Sequence, residues 1–465
     1  MPAIRTTNFN KGRHYQRGAA LMVMLVIMVI GAAAFLVSAL NSSALQTKRD
    51  KITADALAQA KEALIGYAAS VSLSPSGAKR PGDLPCPDTD NDGISGDATY
   101  TTCNLQSQRT GRLPWKTLGI PDLRDGSGER LWYAVSNNFK NSTRTAVLNS
   151  DTPGTITIRG LDGNVVNDGS TTSGAVAVII APGDGLTRQD NVSQARGCTV
   201  GVDCDATGKC TSASPTTVPK CNPVNYLDIA TVGGSTEDNA NFIDSSATNG
   251  FIQGRIKANS GQLIVNDQLL VITQDVIMQP MQKRVAAEVK QCLNEYALKL
   301  QNAGRYPWAA TLNPNDYNDS SNRLFGRVPD TTFDNTKNDS GDLMDDTWTG
   351  NCNINSISGW WPNWKEIVFY GLADAYKPID PPTAPAANAC TPVGSCLSVN
   401  PPSATADQKF VVIVAGKILP GQVRSTNANK GTLSNYLEAP NSGGATTFSQ
   451  GTPSATFNDT VVVSQ

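Results

Sequence analysis

The chain has 465 residues, of which 39% are hydrophobic and 17% are charged, and its formal net charge is −2. This composition is sufficient for folded cores, and the length suggests two or three domains. Because the net charge is close to zero, the sequence offers no basic field for nucleic acid, and we expect no nucleic-acid partner.

The first 40 residues have the pattern of a basic leader followed by a membrane-spanning helix. The leader, residues 1–18, contains four Lys or Arg residues and no acidic residue. From Ala19 to Leu40 there is neither a charge nor a proline, and a helix of that length covers about 33 Å, enough to cross a bilayer core. The basic leader predicts a cytoplasmic N-terminus, with the remainder of this single-pass protein outside the cytoplasm.

The junction between leader and helix is more specific than the span itself. The leader ends in Gly18, and a purely apolar helix begins at once with Ala19. This arrangement resembles the N-terminus of type IV prepilins and type II secretion pseudopilins. The resemblance implies cleavage between Gly18 and Ala19 by a prepilin peptidase, methylation, and assembly with other pilin or pseudopilin subunits through the N-terminal helix. Val23 occupies the position where the family usually has Glu, a departure that is familiar among minor subunits. An uncleaved signal anchor is the alternative.

Helical character continues beyond the predicted span. From Asn41 to Ala69 there is no proline, and Ala, Leu, Lys, Gln and Glu are abundant. Ala56 and Ala60, together with Ile52, Ala63 and Tyr67, recur at steps of three and four residues. This spacing predicts an apolar stripe that a sheet covers.

An acidic motif follows the helix. Asp88, Asp90 and Asp92 alternate and are followed by Gly93, which is the opening of an EF-hand-type calcium loop. Asp97 could supply a further oxygen, whereas the twelfth position is Thr99 rather than the usual Glu. Calcium-stabilised loops also occur in pseudopilins, which favours a structural Ca²⁺ site. The alternative is a solvated turn between two cysteines.

All ten cysteines lie after the predicted span, and their even number in an exported protein predicts disulfides. Proximity favours Cys86–Cys103, Cys390–Cys396 and pairs among Cys198, Cys204, Cys210 and Cys221, which leaves Cys292 with Cys352. Zinc is a weak alternative, because there is no CxxC motif and the single histidine, His14, lies in the leader.

The second half of the chain repeats features of the first. A second amphipathic helix is predicted from Val276 to Gln301, and six later segments match earlier ones in the same order. The matched segments are Lys290–Tyr296 with Lys61–Tyr67, Gly326–Pro329 with Gly111–Pro114, Lys365–Leu372 with Glu129–Val135, Phe410–Ala415 with Ala175–Ile180, Asn435–Glu438 with Asn225–Asp228, and Asn458–Gln465 with Asn266–Gln274.

These matches predict a tandem duplication. We define unit 1 as residues 41–275 and unit 2 as residues 276–465, and we expect each to be a pilin-like α+β domain, a helix followed by an antiparallel sheet. The whole protein is therefore predicted to be α+β, loop-rich and disulfide-bonded, with a long N-terminal helix.

The sequence gives little support for an enzyme. No histidine follows the leader, and neither a phosphate-binding Gly loop with Lys nor a dinucleotide fingerprint is present. The prediction is a non-enzymatic minor pilin or pseudopilin subunit with a tip or assembly-initiating role. It is anchored in a bacterial inner membrane, with periplasmic C-terminal domains that enter an extracytoplasmic filament. The alternatives are a signal-anchored periplasmic binding or adhesion protein and, third, an anchored hydrolase.

Overall fold

Helices and strands were assigned in a computed structural model of the chain. The residues it describes are 17–70, 80–96, 103–140, 147–211, 218–320, 322–330, 348, 352, 354, 360–379, 383–386, 388–390, 395–401, 403–444 and 446–464. Two long helices, α1 (Arg17–Ser70) and α2 (Gln274–Ala297), and two single-turn helices, α3 (Trp361–Trp364) and α4 (Asn427–Lys430), lie in these ranges.

The strands are short and fall into two groups along the chain. Those of unit 1 are β1 (Thr110–Arg112), β2 (Trp132–Val135), β3 (Ile158–Arg159), β4 (Val165–Asn167), β5 (Ala177–Ala181), β6 (Ile229–Val232), β7 (Ser235–Asp238), β8 (Phe251–Ile252), β9 (Ile256–Lys257), β10 (Leu263–Val265) and β11 (Gln268–Ile272). Those of unit 2 are β12 (Phe325–Arg327), β13 (Val368–Leu372), β14 (Leu397–Asn400), β15 (Ser403–Gln408), β16 (Phe410–Val414), β17 (Thr447–Ser449) and β18 (Thr460–Val463).

Helix α1 is continuous from the end of the leader into the folded part of unit 1. The predicted span, Ala19–Leu40, falls within it. Within the described residues, no helix combines the length and apolarity needed to cross a membrane. Apart from those of Met24, Leu25, Met28 and Val29, which are exposed, the side chains of the span lie outside the described residues. The membrane span therefore stays a prediction.

The buried stripe of α1 differs in phase from the predicted one. Its buried residues are Thr53, Ala56, Leu57, Ala60, Leu64 and Ala68. Ala56 and Ala60 were expected, but Ile52 is 43% exposed, and Ala63 and Tyr67 are only half-buried. The stripe is rotated because the face that carries both Leu57 and Leu64 removes more apolar surface from water than a face dominated by alanine.

Two four-stranded antiparallel sheets form the centre of the fold. Sheet 1 has the order β1-β2-β5-β11, and sheet 2 has the order β12-β13-β16-β18. The strands also pair in the same register. Row by row, Gly111, Tyr133, Ile179 and Leu270 of sheet 1 correspond to Gly326, Tyr370, Val412 and Val462 of sheet 2.

The polar contacts of the two sheets also correspond. The hydroxyl of Tyr133 donates to the carbonyl of Pro85 at 3.2 Å, and the hydroxyl of Tyr370 donates to the carbonyl of Pro307 at 3.2 Å. The glycine of each first strand lies against backbone, since a Cβ on Gly111 would come within 2.6 Å of a carbonyl oxygen. The two sheets thus share a buried tyrosine hydroxyl bonded to a proline carbonyl and a glycine packed against backbone.

The two units share one hydrophobic core. It joins the buried faces of α1 and α2 to buried residues of both sheets, and α2 contacts its own strands β16 and β18 as well as α1. Polar contacts cross the same boundary: the guanidinium of Arg424 donates to both carboxylate oxygens of Asp151, at 2.7 and 2.8 Å. The two units therefore pack together around a single hydrophobic core.

All ten cysteines are paired, and the predicted pairs are confirmed. The bonds are Cys86–Cys103, Cys198–Cys204, Cys210–Cys221, Cys292–Cys352 and Cys390–Cys396. Five disulfides indicate an extracytoplasmic location, because such bonds persist in oxidising compartments. The α+β class, the long N-terminal helix and the loop-rich character are confirmed with them.

Candidate metal centre

The acidic loop of unit 1 brings the predicted carboxylates together. Asp88, Asp90 and Asp92 each place a carboxylate oxygen within 4.8 Å of the others. Asp88 and Asp90 are buried, and Asp92 is partly buried. Three oxygen donors at this spacing could hold a metal ion. Asp97, the predicted fourth ligand, and Thr99 lie outside the described residues.

The loop wraps around the carboxylate of Asp88. The backbone N–H groups of Asn91 and Gly93 donate to its two oxygens, each at 2.7 Å. Gly93 has a φ of 86°, and a Cβ there would lie 2.6 Å from the indole nitrogen of Trp115. Only glycine fits this left-handed, crowded position. The alternating acids and the glycine therefore form the turn that the motif predicts.

A lysine that the sequence motif does not include completes the cluster. The ammonium of Lys209 lies 3.0 Å from Asp90 Oδ2 and 2.8 Å from Asp92 Oδ2. Lys209 is 117 residues from Asp92 in the chain. The separation of Lys209 from the acidic motif is too large for any sequence motif to predict the contact. The only local sign that the Lys209 segment is held in place was the neighbouring Cys210.

The electrostatics of the cluster reflect three acids in a confined space. Burial raises the pKa of Asp88 to about 8, and the neighbouring carboxylates of Asp90 and Asp92 add to the rise. Burial also raises the pKa of Asp90, against the effect of Lys209. Hydrogen bonds to Asp92 and Asp90 raise the pKa of Lys209. The cluster is therefore short of positive charge, which a proton or a bound cation would supply.

A second acidic cluster, which the sequence did not predict, lies before the last strand of sheet 1. The backbone N–H of Asp228 donates to Asp267 Oδ2 at 2.8 Å, and the N–H of Asp267 donates to Asp228 Oδ2 at 3.3 Å. The amide of Asn239 donates to the same Asp267 oxygen at 2.8 Å. Burial raises the pKa of Asp228 to about 6, and burial with the nearby Asp228 raises the pKa of Asp267 well above its usual range.

Unit 2 contains the counterpart of this second cluster before strand β18. The N–H of Glu438 donates to Asp459 Oδ2 at 3.2 Å, and the amide of Asn441 donates to it at 2.9 Å. Burial and the Glu438 carboxylate raise the pKa of Asp459. Because the cluster recurs at equivalent positions of both sheets, it belongs to the shared frame and not to a site of one unit.

The predicted cleavage junction is described only in its backbone. Gly18 and Ala19 lie in the first turn of α1, and the side chain of Ala19 is outside the described residues. No protein-family model, curated protein or solved structure matches this chain.

Proposed function

We propose that the protein is a non-enzymatic minor subunit of a type IV pilus or a type II secretion pseudopilus. One observation carries the proposal. The Gly18–Ala19 junction opens a helix that continues without a break to Ser70 and buries its last turns in a sheet-bearing head. A subunit that first anchors in the inner membrane and later stacks in a filament needs such a helix, half free and half packed.

The head favours a position at the tip or in assembly initiation over a repeating shaft position. It carries two four-stranded sheets and their loops on a single N-terminal helix, and so large a head would crowd lateral neighbours. Val23 in place of Glu removes the salt bridge that this family uses for register with a neighbour's N-terminal amine. Other pilin subunits, bound through α1, the prepilin peptidase and the inner membrane are the proposed partners.

The head itself is proposed to be an internal duplication of a pilin-like unit. The support is the shared strand order and register of sheets 1 and 2, together with the recurring acid–asparagine cluster. For the acidic loop we propose Ca²⁺ as the metal, because carboxylate oxygens in a glycine-containing turn are the donors that this hard cation prefers. Asp97 is the proposed additional ligand.

N-terminal processing tests the assignment to the pilin pathway. The full chain is expressed with and without a prepilin peptidase, and the mature N-terminus is determined by mass spectrometry. We expect peptidase-dependent removal of residues 1–18 and no removal in Gly18→Ala. Gly31→Ala, which changes a glycine inside the predicted span, is the matched control and should be processed normally. An intact leader under both conditions would leave a signal-anchored periplasmic binding or adhesion protein.

The location within the filament is tested separately. A tip or initiating subunit should be present in purified filaments at a small number of copies, at one end by labelling electron microscopy. Abundant labelling along the shaft would reject the tip assignment while leaving the pilin pathway intact.

A further inference from the structure

The ammonium of Lys209 lies where a cation shared by Asp90 and Asp92 would lie. Its distances to one oxygen of each carboxylate are 3.0 and 2.8 Å. The Asp90 side chain is 6% exposed and that of Asp92 is 17% exposed, so water contributes little to balancing their charge. Asp88, the third acid, is already hydrogen-bonded to backbone N–H groups.

The backbone that carries Lys209 is fixed against the acidic loop. The N–H of Cys210 donates to the carbonyl of Asp90 at 2.7 Å, and the side-chain amide of Asn91 donates to the carbonyl of Gly208 at 2.8 Å. Two disulfides, Cys198–Cys204 and Cys210–Cys221, close short loops on either side of the lysine. The backbone on both sides of Lys209 is therefore held against the acidic loop, and this fixes the position of the ammonium.

Unit 2 lacks both partners at the equivalent positions. Asp88 exchanges two backbone hydrogen bonds with Arg112, and Ala310 exchanges the same pair with Arg327, so an alanine replaces the first acid. In unit 1 the guanidinium of Arg196 donates to the carbonyls of Asn225 and Tyr226. The segment between Arg196 and Asn225 contains Lys209 and is the lysine loop. In unit 2 Arg424 contacts the carbonyls of Asn435 and Tyr436 in the same way.

The segment between the arginine and the asparagine is much shorter in unit 2 and contains no cysteine. The acidic loop and the lysine loop thus occur together in one unit, and at the equivalent places of the other unit both are missing. This joint occurrence is what is expected if each loop depends on the other for charge balance.

We propose that Lys209 is the resident cation of the Asp88–Asp90–Asp92 loop. It stabilises the loop without metal and competes with a metal ion for the oxygens of Asp90 and Asp92. The competition with a metal ion rests on the proposed Ca²⁺ site, whereas the stabilising role of Lys209 without metal does not. A divalent ion bound to those oxygens at the usual 2.3–2.6 Å would occupy the space of the ammonium. Calcium must therefore displace Lys209, and the intact protein should bind it weakly.

The test compares full-length wild type with Lys209→Met and Lys209→Arg in detergent micelles. Thermal unfolding is followed in EDTA, and Ca²⁺ binding is measured by titration calorimetry. Lys116→Met is the matched control, because this lysine contacts the Asp92 backbone carbonyl of the same loop but is not ion-paired with the three carboxylates. We expect Lys209→Met to lower the melting temperature in EDTA, to bind Ca²⁺ at least tenfold more tightly than wild type, and to regain stability with Ca²⁺. Lys209→Arg and Lys116→Met should resemble wild type.

A charge-balanced variant separates charge from packing. Lys209→Met combined with Asp90→Asn removes one charge of each sign and should recover part of the melting temperature lost in EDTA, whereas a purely packing role of the lysine stem predicts no recovery. If Lys209→Met does not fold at all, recovery of folded protein by the double variant gives the same answer.

The remaining outcomes distinguish the two proposals. An unchanged melting temperature of Lys209→Met in EDTA, or equal Ca²⁺ affinity in wild type and Lys209→Met, would overturn the role of Lys209. A lowered melting temperature with no Ca²⁺ binding by either protein would keep Lys209 as the resident cation and reject the calcium site.

Discussion

Units 1 and 2 have the same frame and different loops. Both sheets have one strand order and one register, and both use a buried tyrosine hydroxyl and a buried acid–asparagine cluster to hold the ends of their strands. Among the described residues, the Asp88–Asp90–Asp92 turn and the lysine loop occur in unit 1 alone. A frame whose backbone polar groups are satisfied internally can accept different loops, because loop residues contribute little to the core.

The comparison also shows how the units depend on each other. Arg196 and Arg424 make equivalent contacts to backbone carbonyls, but their acids differ in origin. Glu129 of unit 1 lies 3.4 Å from Arg196, whereas Arg424 takes its acid, Asp151, from the other unit. The buried charge of Arg424 in unit 2 is therefore balanced by a carboxylate of unit 1.

The largest effect is expected from the glycines of the two first strands. A Cβ on Gly326 would overlap the carbonyl oxygen of Ala310, and one on Gly111 would come within 2.6 Å of that of Asp88. Because backbone cannot move aside cheaply, Gly326→Ala and Gly111→Ala should each lower the free energy of unfolding by about 3 kcal/mol. Urea denaturation measures this. Gly66→Ala, on an exposed helix face with free space around it, is the control and should raise stability by about 0.5–1 kcal/mol. If Gly326→Ala left the free energy of unfolding unchanged while Gly111→Ala lowered it, the two glycines would not have equivalent roles in the two sheets.

Removal of disulfides should differ between the units according to loop length. Cys86–Cys103 closes a loop with a sequence separation of 17, and Cys390–Cys396 one with a separation of 6. Loop-closure entropy predicts a loss of about 3 kcal/mol for the double alanine variant of the first and about 2 kcal/mol for the second. Thermal unfolding of both variants checks the order, and a larger loss for Cys390–Cys396 would contradict it.

The two arginine contacts should differ in strength. Asp151→Ala leaves the guanidinium of Arg424, whose side chain is 3% exposed, without its acid, and should cost about 2 kcal/mol. Glu129→Ala removes a longer and more exposed contact from Arg196 and should cost less than about 1 kcal/mol. Equal losses in chemical denaturation would mean that the contact between the units is no stronger than the contact within unit 1.

The smallest effect concerns the buried acids and their pH dependence. Burial raises the pKa of Asp228 from 3.8 to about 6, so the folded state binds a proton more tightly than the unfolded state. This contribution to stability is complete below about pH 4 and is lost as the pH rises to about 6. The wild-type free energy of unfolding should therefore fall across this window.

Asp267→Asn sharpens the same comparison. The amide resembles the protonated carboxyl that burial favours at Asp267, so the variant should lie within about 1 kcal/mol of wild type at pH 7 and keep the fall in stability that Asp228 causes between about pH 4 and 6. Asp459→Asn should do the same in unit 2, where burial and Glu438 raise the pKa of Asp459. Denaturation between pH 4 and 7 measures both variants. A loss of several kcal/mol at pH 7 would instead indicate an ionised, compensated Asp267.

Several features could be predicted from local sequence because their physical basis is local. Cysteines 6 to 17 residues apart meet because short loops close easily, and an Asp-x-Asp-x-Asp-Gly run turns inward because Gly93 permits a positive φ. The apolar run from Phe410 to Ala415 contains the buried strand Phe410–Val414, because an uninterrupted hydrophobic run is itself a local signal for a buried strand. The phase of the α1 stripe could not be predicted, since alanine-rich periodicity fits adjacent faces almost equally until Leu57 and Leu64 meet the core.

The sequence by itself determined the α+β class, the disulfide framework, the acidic turn and the order of the repeated segments, because each depends on neighbours in the chain or on hydrophobic patterning. Only the tertiary structure placed Lys209 between Asp90 and Asp92, Asp151 against Arg424 and Asp228 beside Asp267. These pairs are 39 to 273 residues apart, and the burial that sets their electrostatics exists only once both sheets and both helices have packed together.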